Sequence, residues 1–98
     1  MPTYIQYYTW TKAGAETVKD QPTKRTPFGK ELYKSMGVEV KALYYSFAKY
    51  DMVTINEAPD DETMAAASLK LVSFGPVTVE TVKVFTEEEG AEIWKRLE

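Results

Sequence analysis

Four segments of this chain have the sequence of β-strands, in which successive side chains point to opposite faces. In these segments both faces carry apolar side chains. In the first of them, TYIQYYTW, Ile5 and Tyr7 fall on one face. Tyr4, Tyr8 and Trp10 fall on the other, because successive side chains of a strand point in opposite directions. A sheet with helices on one side only would leave one of these faces exposed. The pattern therefore predicts a sheet whose second face is covered by something other than its own helices.

The strand segments alternate with helical segments in the order β-α-β-β-α-β, followed by a C-terminal helix. We predict strands over residues 3–10, 38–47, 51–57 and 77–85. One interrupted helix or two short ones lie between the first two strands, and an alanine-rich helix lies between the last two. The 98 residues leave room for one hydrophobic core. The prediction is a single α+β domain over residues 1–98 with the ferredoxin-like arrangement, one antiparallel sheet with helices on one face.

Side chains that cap helices mark where each predicted helix begins. Thr11 and Thr26 are candidate N-caps in the first helical region, and Asp60 is the candidate for the alanine-rich helix. Thr86 and Glu89 have the spacing of a capping box before the last helix. Because a helix start favours acidic residues, it accounts for the acidic run that begins at Asp60, and we predict no metal site there. We expect the last helix to direct three residues toward the body of the domain: Ile93, Trp94 and Leu97.

The composition excludes several classes of site. The chain has no histidine and no cysteine, which removes Ser-His and Cys-His nucleophiles, zinc-thiolate sites and disulfides. The net charge of −3 provides no overall cationic field for nucleic acid. One basic cluster, typical of a solvated helix face, consists of Lys24, Arg25, Lys30 and Lys34. No apolar run reaches the ~20 residues that a membrane span needs. We therefore expect a cytoplasmic protein that binds neither nucleic acid nor membrane and needs no cofactor.

The aromatic residues of the strands are more numerous than one layer of helices can cover. Each buried aromatic ring removes ~150–250 Å² from water, and a soluble monomer rarely exposes more than a few hundred Å² of contiguous apolar surface. Gln6, Lys41 and Glu80 dilute the second face without removing its apolar character. The pattern therefore predicts a homodimer in which two sheets pack face to face. The alternative is a monomer whose groove is filled by a ligand.

Several segments together resemble the GYD-domain family, which is named for a Gly-x-Tyr-Asp signature. They are MPTYIQYYTWT at the start, KD at residues 19–20 ahead of Pro22, YYSFAKYDMV, EAPDDETMAAASL, and FTEEE near the end. The resemblance covers essentially the whole chain and implies a dimeric α/β-barrel fold, but little about activity. Ala48 stands where the signature has glycine, whereas Tyr50 and Asp51 match it. A backbone contact that depends on the glycine is therefore not expected here.

The Tyr50-Asp51 pair, at the start of the third strand, is the main candidate for catalysis. A carboxylate there can accept backbone N–H groups across the hairpin, which is a structural role. Alternatively, Asp51 lies at the mouth of a cleft, where partial burial raises a carboxyl pKa as a general base requires. In that case Tyr8 or Tyr50 would stabilise the anion that proton removal creates.

Four aromatic residues and one lysine are candidates for ligand binding: Tyr4, Tyr8, Trp10, Tyr45 and Lys41. The aromatic side chains either form the core of the dimer interface or line an apolar pocket with their polar groups directed at a ligand. The lysine either pairs with an acidic residue across the sheet or holds an anionic ligand.

Two functional hypotheses follow. The first is a small homodimeric protein that binds a small apolar or aromatic molecule in a cleft near Tyr50 and Asp51, or that serves as an assembly module. The alternative is a cofactor-independent oxygenase or isomerase of the dimeric α/β-barrel type with Asp51 as its base, which rests on analogy of fold.

Overall fold

The computed structural model describes residues 1–20 and 25–98, without the side chains of residues 17–20 and 25–26. The described chain has four strands, which are β1 Thr3–Trp10, β2 Glu39–Tyr45, β3 Met52–Glu57 and β4 Val77–Val84. It also has four helices, which are α1 Lys12–Asp20, α2 Arg25–Ser35, α3 Asp61–Ser73 and α4 Glu87–Lys95. None of these described helices is long and apolar enough to cross a membrane.

The strands form one sheet in the order β2-β3-β1-β4, and every neighbouring pair is antiparallel. The element order and the sheet confirm the predicted ferredoxin-like α+β fold. β2 and β4 are the edge strands, and a bulge interrupts the pairing of β2 with β3 between Val40 and Ala42. Such a bulge increases the local twist of an edge.

The predicted helix caps are confirmed wherever their side chains are described. Thr11 accepts a hydrogen bond from the backbone N–H of Gly14 at 3.1 Å, and Asp60 accepts one from Thr63 at 2.8 Å. Thr86 and its partner three residues on form the complete capping box. Gly37, at φ +88°, follows α2 in the left-handed conformation that glycine tolerates best. The side chains of Thr26 and Arg25 and the whole of Lys24 are not described, and α2 already begins at Arg25, one residue before the predicted cap.

The helix-facing side of the sheet forms the core. Tyr4, Gln6 and Tyr8, the even-numbered residues of β1, are almost completely buried. The helices contribute the other side of this core, with Tyr33, Met64, Ala67 and Leu71. The prediction that Gln6 dilutes an exposed face is therefore wrong, because Gln6 shares the parity of two tyrosines that point inward.

The opposite side of the sheet is not covered by the described helices. Cross-strand partners share a face, so the pairing of Ile5 with Ile55 and Val82 places all three on this side. We call this surface the open face; its apolar residues are Ile5, Tyr7, Ala42, Tyr44, Val53, Ile55, Val82 and Val84. The residues on the central strands are half-buried, whereas Tyr44 and Val82 on the edges are 62% and 46% exposed.

The last helix does not pack against the body as predicted. α4 buries none of its residues, and Trp94 and Leu97 are 70% and 83% exposed. Only Phe85 and Thr86 separate β4 from α4, and the capping box at Thr86 determines where the helix starts. The expectation for Ile93, Trp94 and Leu97 is therefore wrong, because α4 follows the edge strand β4 without lying against the sheet or the other described helices.

Gly14 lies in α1 where no side chain fits. A Cβ built at this position would lie 1.8 Å from the backbone carbonyl oxygen of Pro76. The same oxygen accepts a hydrogen bond from the N–H of Thr11 at 3.0 Å. The glycine that weakens the helix in the sequence is therefore required by the close approach of α1 to the turn before β4.

We predict that Gly14→Ala lowers the free energy of unfolding by about 1–3 kcal/mol, because α1 must move away from Pro76. Gly29→Ala in α2 is the matched control, since a Cβ there meets nothing within 4 Å. The higher helix propensity of alanine should make that control neutral or slightly stabilising, by up to about 1 kcal/mol. Chemical denaturation followed by circular dichroism measures both. Equal effects of the two substitutions would contradict the steric explanation.

Candidate functional site

The hairpin that carries Tyr50 and Asp51 is closed onto the end of β1. The backbone N–H of Ser46 donates to the carbonyl oxygen of Asp51 at 2.9 Å, and the N–H of Asp51 donates to the carbonyl oxygen of Tyr8 at 2.8 Å. The Asp51 carboxylate, half-buried, accepts the backbone N–H of Trp10 through Oδ2 at 2.8 Å. The carboxylate thus bonds to a backbone N–H of β1 and not across its own hairpin, and its use as a general base stays a prediction.

Tyr50 lies over the open face. Its ring centroid is 4.7 Å from that of Tyr7, and its hydroxyl donates to Oε2 of Glu80 at 2.7 Å. The Lys49 ammonium lies 5.3 Å from the same ring. The hydrogen bond to the Glu80 carboxylate raises the pKa of Tyr50, since ionisation of the phenol would place two negative charges together. This hairpin therefore adds the ring of Tyr50 and the ammonium of Lys49 to the open face, beside the Glu80 carboxylate of β4.

The five residues predicted to bind a ligand do not converge on one pocket. Tyr4 and Tyr8 are buried between sheet and helices, and the Tyr4 hydroxyl donates to the carboxylate of Asp61 in α3. Lys41 is exposed on β2 and forms ion pairs with Glu39 at 3.6 Å and Glu57 at 4.0 Å. Two further candidates lie elsewhere, half-buried Trp10 at the end of β1 and exposed Tyr45 at the end of β2. Their roles as ligand contacts stay predictions.

A buried polar network occupies the space between sheet and helices, and it is not among the features predicted from the sequence. At its centre, Oε1 of Gln6 accepts the hydroxyls of Tyr8 and Tyr33, each at 2.7 Å. The Nε2 of Gln6 donates to Oγ of Ser68 at 2.5 Å and to Oγ1 of Thr81 at 3.0 Å. The network thus joins two strands to α2 and α3 through a single amide.

Two residues of β3 continue this network beside Tyr8. Thr54 Oγ1 lies 2.9 Å from the Tyr8 hydroxyl and accepts Nδ2 of Asn56 at 2.8 Å. Oδ1 of Asn56 is buried without a hydrogen-bond partner in the described part of the chain. A signal for the network was present in the sequence, because Gln6, Thr54 and Asn56 fall at inward-facing positions of the two central strands.

Burial sets the ionisation of the three inward-facing tyrosines. Desolvation is the main cause that raises the pKa values of Tyr8 and Tyr33. Burial, followed by the hydrogen bond to Asp61, raises the pKa of Tyr4 to about 12. The same contact, followed by that of Lys83 at 3.0 Å, holds the pKa of the Asp61 carboxyl below its usual range. At neutral pH these phenols are therefore neutral hydrogen-bonding groups that connect the sheet to the helices.

The outer surface of the helices carries a second exposed apolar area. We use the name helix-side patch for its four exposed residues, Phe28 and Phe74, whose rings touch, and Leu69 and Val72, which lie on a different side of α3 from Phe74. The rings of Phe28 and Phe74 meet edge to face with their centroids 5.3 Å apart, which joins α2 to the end of α3. The Lys70 ammonium lies 5.6 Å from the Phe74 ring. Leu69 is 69% exposed, because the sheet-facing side of α3 is formed by other residues. This patch lies on the side of the domain away from the open face.

These features, an incompletely covered sheet and a second apolar patch, are those of a protein that contacts other macromolecules. The family model of the GYD domain matches residues 4–94, so the chain belongs to the GYD-domain family, as its sequence resemblance predicts. A relative from Thermus thermophilus is 40% identical over 83 residues, which cover 85% of this chain and 87% of the relative. That relative is called glutamine synthetase and cystathionine beta-lyase binding protein. No solved structure matches the chain.

We predict that the buried tyrosines make the protein sensitive to alkali. Their pKa values are higher in the folded state than the value near 10 of an unfolded tyrosine, so the folded state binds protons more tightly. The resulting stability is fully present below about pH 10 and is lost as pH rises above it. Denaturation curves between pH 8 and 12 measure this loss, and Tyr33→Phe should reduce it. A free energy of unfolding that stays constant to pH 12 would refute the prediction.

Proposed function

We propose that this chain is a homodimeric protein-binding module. Two copies pair through their open faces, and the helix-side patch of each copy binds a partner protein. The partner class is an enzyme of amino-acid metabolism, of the kind that appears in the name of the Thermus thermophilus relative. The observation that carries the proposal is the presence of two separate exposed apolar surfaces on opposite sides of one small domain.

The open face has the features of a sheet-to-sheet interface. Its centre is purely apolar, since Ile5 is flanked by Ile55 and Val82 across the sheet. Its charged residues lie at the periphery, where Lys41 is already paired with Glu39 and Glu57. An apolar centre with a polar rim is the usual organisation of a stable protein interface. A second identical sheet is the simplest complement, because a two-fold axis matches each apolar centre with another.

The helix-side patch remains accessible when the open faces pair, because helices α2 and α3 separate it from them. Its aromatic pair provides the kind of large, rigid contacts that dominate binding energy at protein interfaces. Lys30, Lys34 and Lys70 are exposed on the same two helices, so the patch suits a partner surface with acidic groups around an apolar centre. A relative named for binding two enzymes supports assignment of this second surface to a protein partner.

We predict that Tyr44→Glu raises the dissociation constant of the homodimer by at least about 30-fold, because it places an unpaired carboxylate in the paired sheets. Tyr44 is largely exposed in the single chain, so the variant should keep its far-ultraviolet circular dichroism. Leu69→Glu, which adds the same charge to the helix-side patch, is the matched control and should leave the dimer intact. Sedimentation equilibrium measures both. A wild-type chain that is monomeric at 100 μM, or a Tyr44→Glu dimer of unchanged affinity, would disprove sheet-to-sheet pairing.

We predict the opposite pattern for partner binding. Immobilised glutamine synthetase from the same organism should retain the wild-type protein, and Leu69→Glu or Phe74→Ala should weaken the retention at least about 10-fold. Tyr44→Glu, which adds the same charge to the open face, is the matched control and should keep the wild-type affinity of each subunit. Biolayer interferometry gives the affinities. Equal binding by wild type and both patch variants would show that the helix-side patch is not the contact.

A further inference from the structure

The C-terminal helix leaves an apolar stripe without a covering surface. Gly90, Ile93 and Trp94 lie on one side of α4, at spacings of three and four residues, and Leu97 follows them in the turn after the helix ends at Lys95. The opposite side is polar, and there Lys95 pairs with Glu92 at 2.9 Å. Although α4 is amphipathic, it buries none of its residues in the single chain. Trp94 and Leu97 are 70% and 83% exposed, which is unusual for large apolar side chains of a folded and assembled protein.

The shape of the chain shows that α4 projects outward. The radius of gyration is 14.9 Å, whereas a compact domain of this length has about 13 Å. The longest dimension is 55 Å and the shortest is 18 Å. α4 follows β4 after Phe85 and Thr86 and buries none of its residues, so it continues beyond the edge strand without reaching the core.

We propose that α4 is an exchanged arm, which packs its Ile93-Trp94-Leu97 stripe against the second copy of this chain. This inference rests on the homodimer proposed above and adds a second contact to it. Each subunit gives one arm and receives one, so a two-fold dimer buries the stripe twice.

The origin of the arm identifies the second copy as its occupant. α4 begins directly after Val82 and Val84, which are open-face residues on the edge of the sheet. A copy that lies on the open face therefore has its nearest surface next to the start of α4. The helix has nine residues and extends about 14 Å, which is long enough to cross the rim of such an interface. The helix-side patch lies on the other side of the domain, so the enzyme partner proposed for it is farther from the arm.

Tryptophan fluorescence tests the arm directly. The chain has two tryptophans, Trp10 and Trp94, so Trp10→Phe leaves Trp94 as the only tryptophan whose fluorescence is measured. In the dimer we expect blue-shifted emission and slow acrylamide quenching. On dilution below the dimer dissociation constant, emission should shift to the red and the quenching constant should rise several-fold. Concentration-dependent quenching of this kind would not result from an arm that stays in solvent.

Substitutions in the stripe test its contribution to pairing. Leu97→Glu and Ile93→Glu in the Trp10→Phe background should each raise the dimer dissociation constant at least about 10-fold and make Trp94 accessible to acrylamide. Ala91→Glu adds the same charge on another side of α4 and should change neither quantity. Because the stripe is not buried in the single chain, circular dichroism and the melting temperature at monomer concentrations should be unchanged.

The outcomes separate the arm from the dimer. If the wild-type chain is a dimer but Trp94 stays fully quenchable, and the stripe variants pair normally, then the exchanged arm is wrong and the sheet-to-sheet dimer stands. If Trp94 becomes shielded only when glutamine synthetase is added, the occupant is that enzyme and the proposal is overturned. If the chain is monomeric at every concentration, the homodimer fails and the arm fails with it.

Discussion

The side-chain amide of Gln6 connects the inner face of the sheet to its helices. It sits at the centre of the two middle strands and joins β1 to α2 and α3 through hydroxyl groups at hydrogen-bond distance. A buried amide without partners would be strongly destabilising, so this face of the sheet is stable only when the helices supply their hydroxyls. Helices α2 and α3 pack on this side and α4 buries none of its residues, so no described helix covers the other side. The open face is the side of the sheet opposite to this network.

The open face and the projecting α4 both carry apolar residues that no other part of the described chain covers. A sheet of four strands with one helical layer covers only one of its two faces, and here the other face is apolar as well. α4 starts two residues after β4 and buries none of its residues, so it does not provide a second layer within the same chain. In the assembly that we propose, a second copy covers the sheet and receives the helix, while the helix-side patch stays available for an enzyme partner.

The local signals in the sequence were reliable where they involve neighbouring residues. The predicted helix caps were confirmed at Thr11, Asp60 and Thr86. A cap can be predicted because its side chain bonds to the backbone N–H of a residue two or three positions later. Asp51 was recognised as unusual for the start of a strand. Its contact with the N–H of Trp10, 41 positions away, depends on how β1 and β3 pair and was not predictable from the local pattern. Gly14 is similar, since only the folded chain places Pro76 next to it.

By itself, the sequence determined the order of the elements, the antiparallel ferredoxin-like sheet and membership of the GYD-domain family, because periodicity and motif spacing are properties of the linear chain. Tertiary structure alone decided which face of each strand points inward. The alternation of side chains along a strand defines two faces but does not show which of them is buried, and both faces of β1 carry aromatic residues. The buried face is the one on which long-range partners, the hydroxyls of Tyr33 and Ser68, satisfy Gln6. The same applies to α4, whose amphipathic pattern is local, whereas the surface that it covers belongs to the folded and assembled protein.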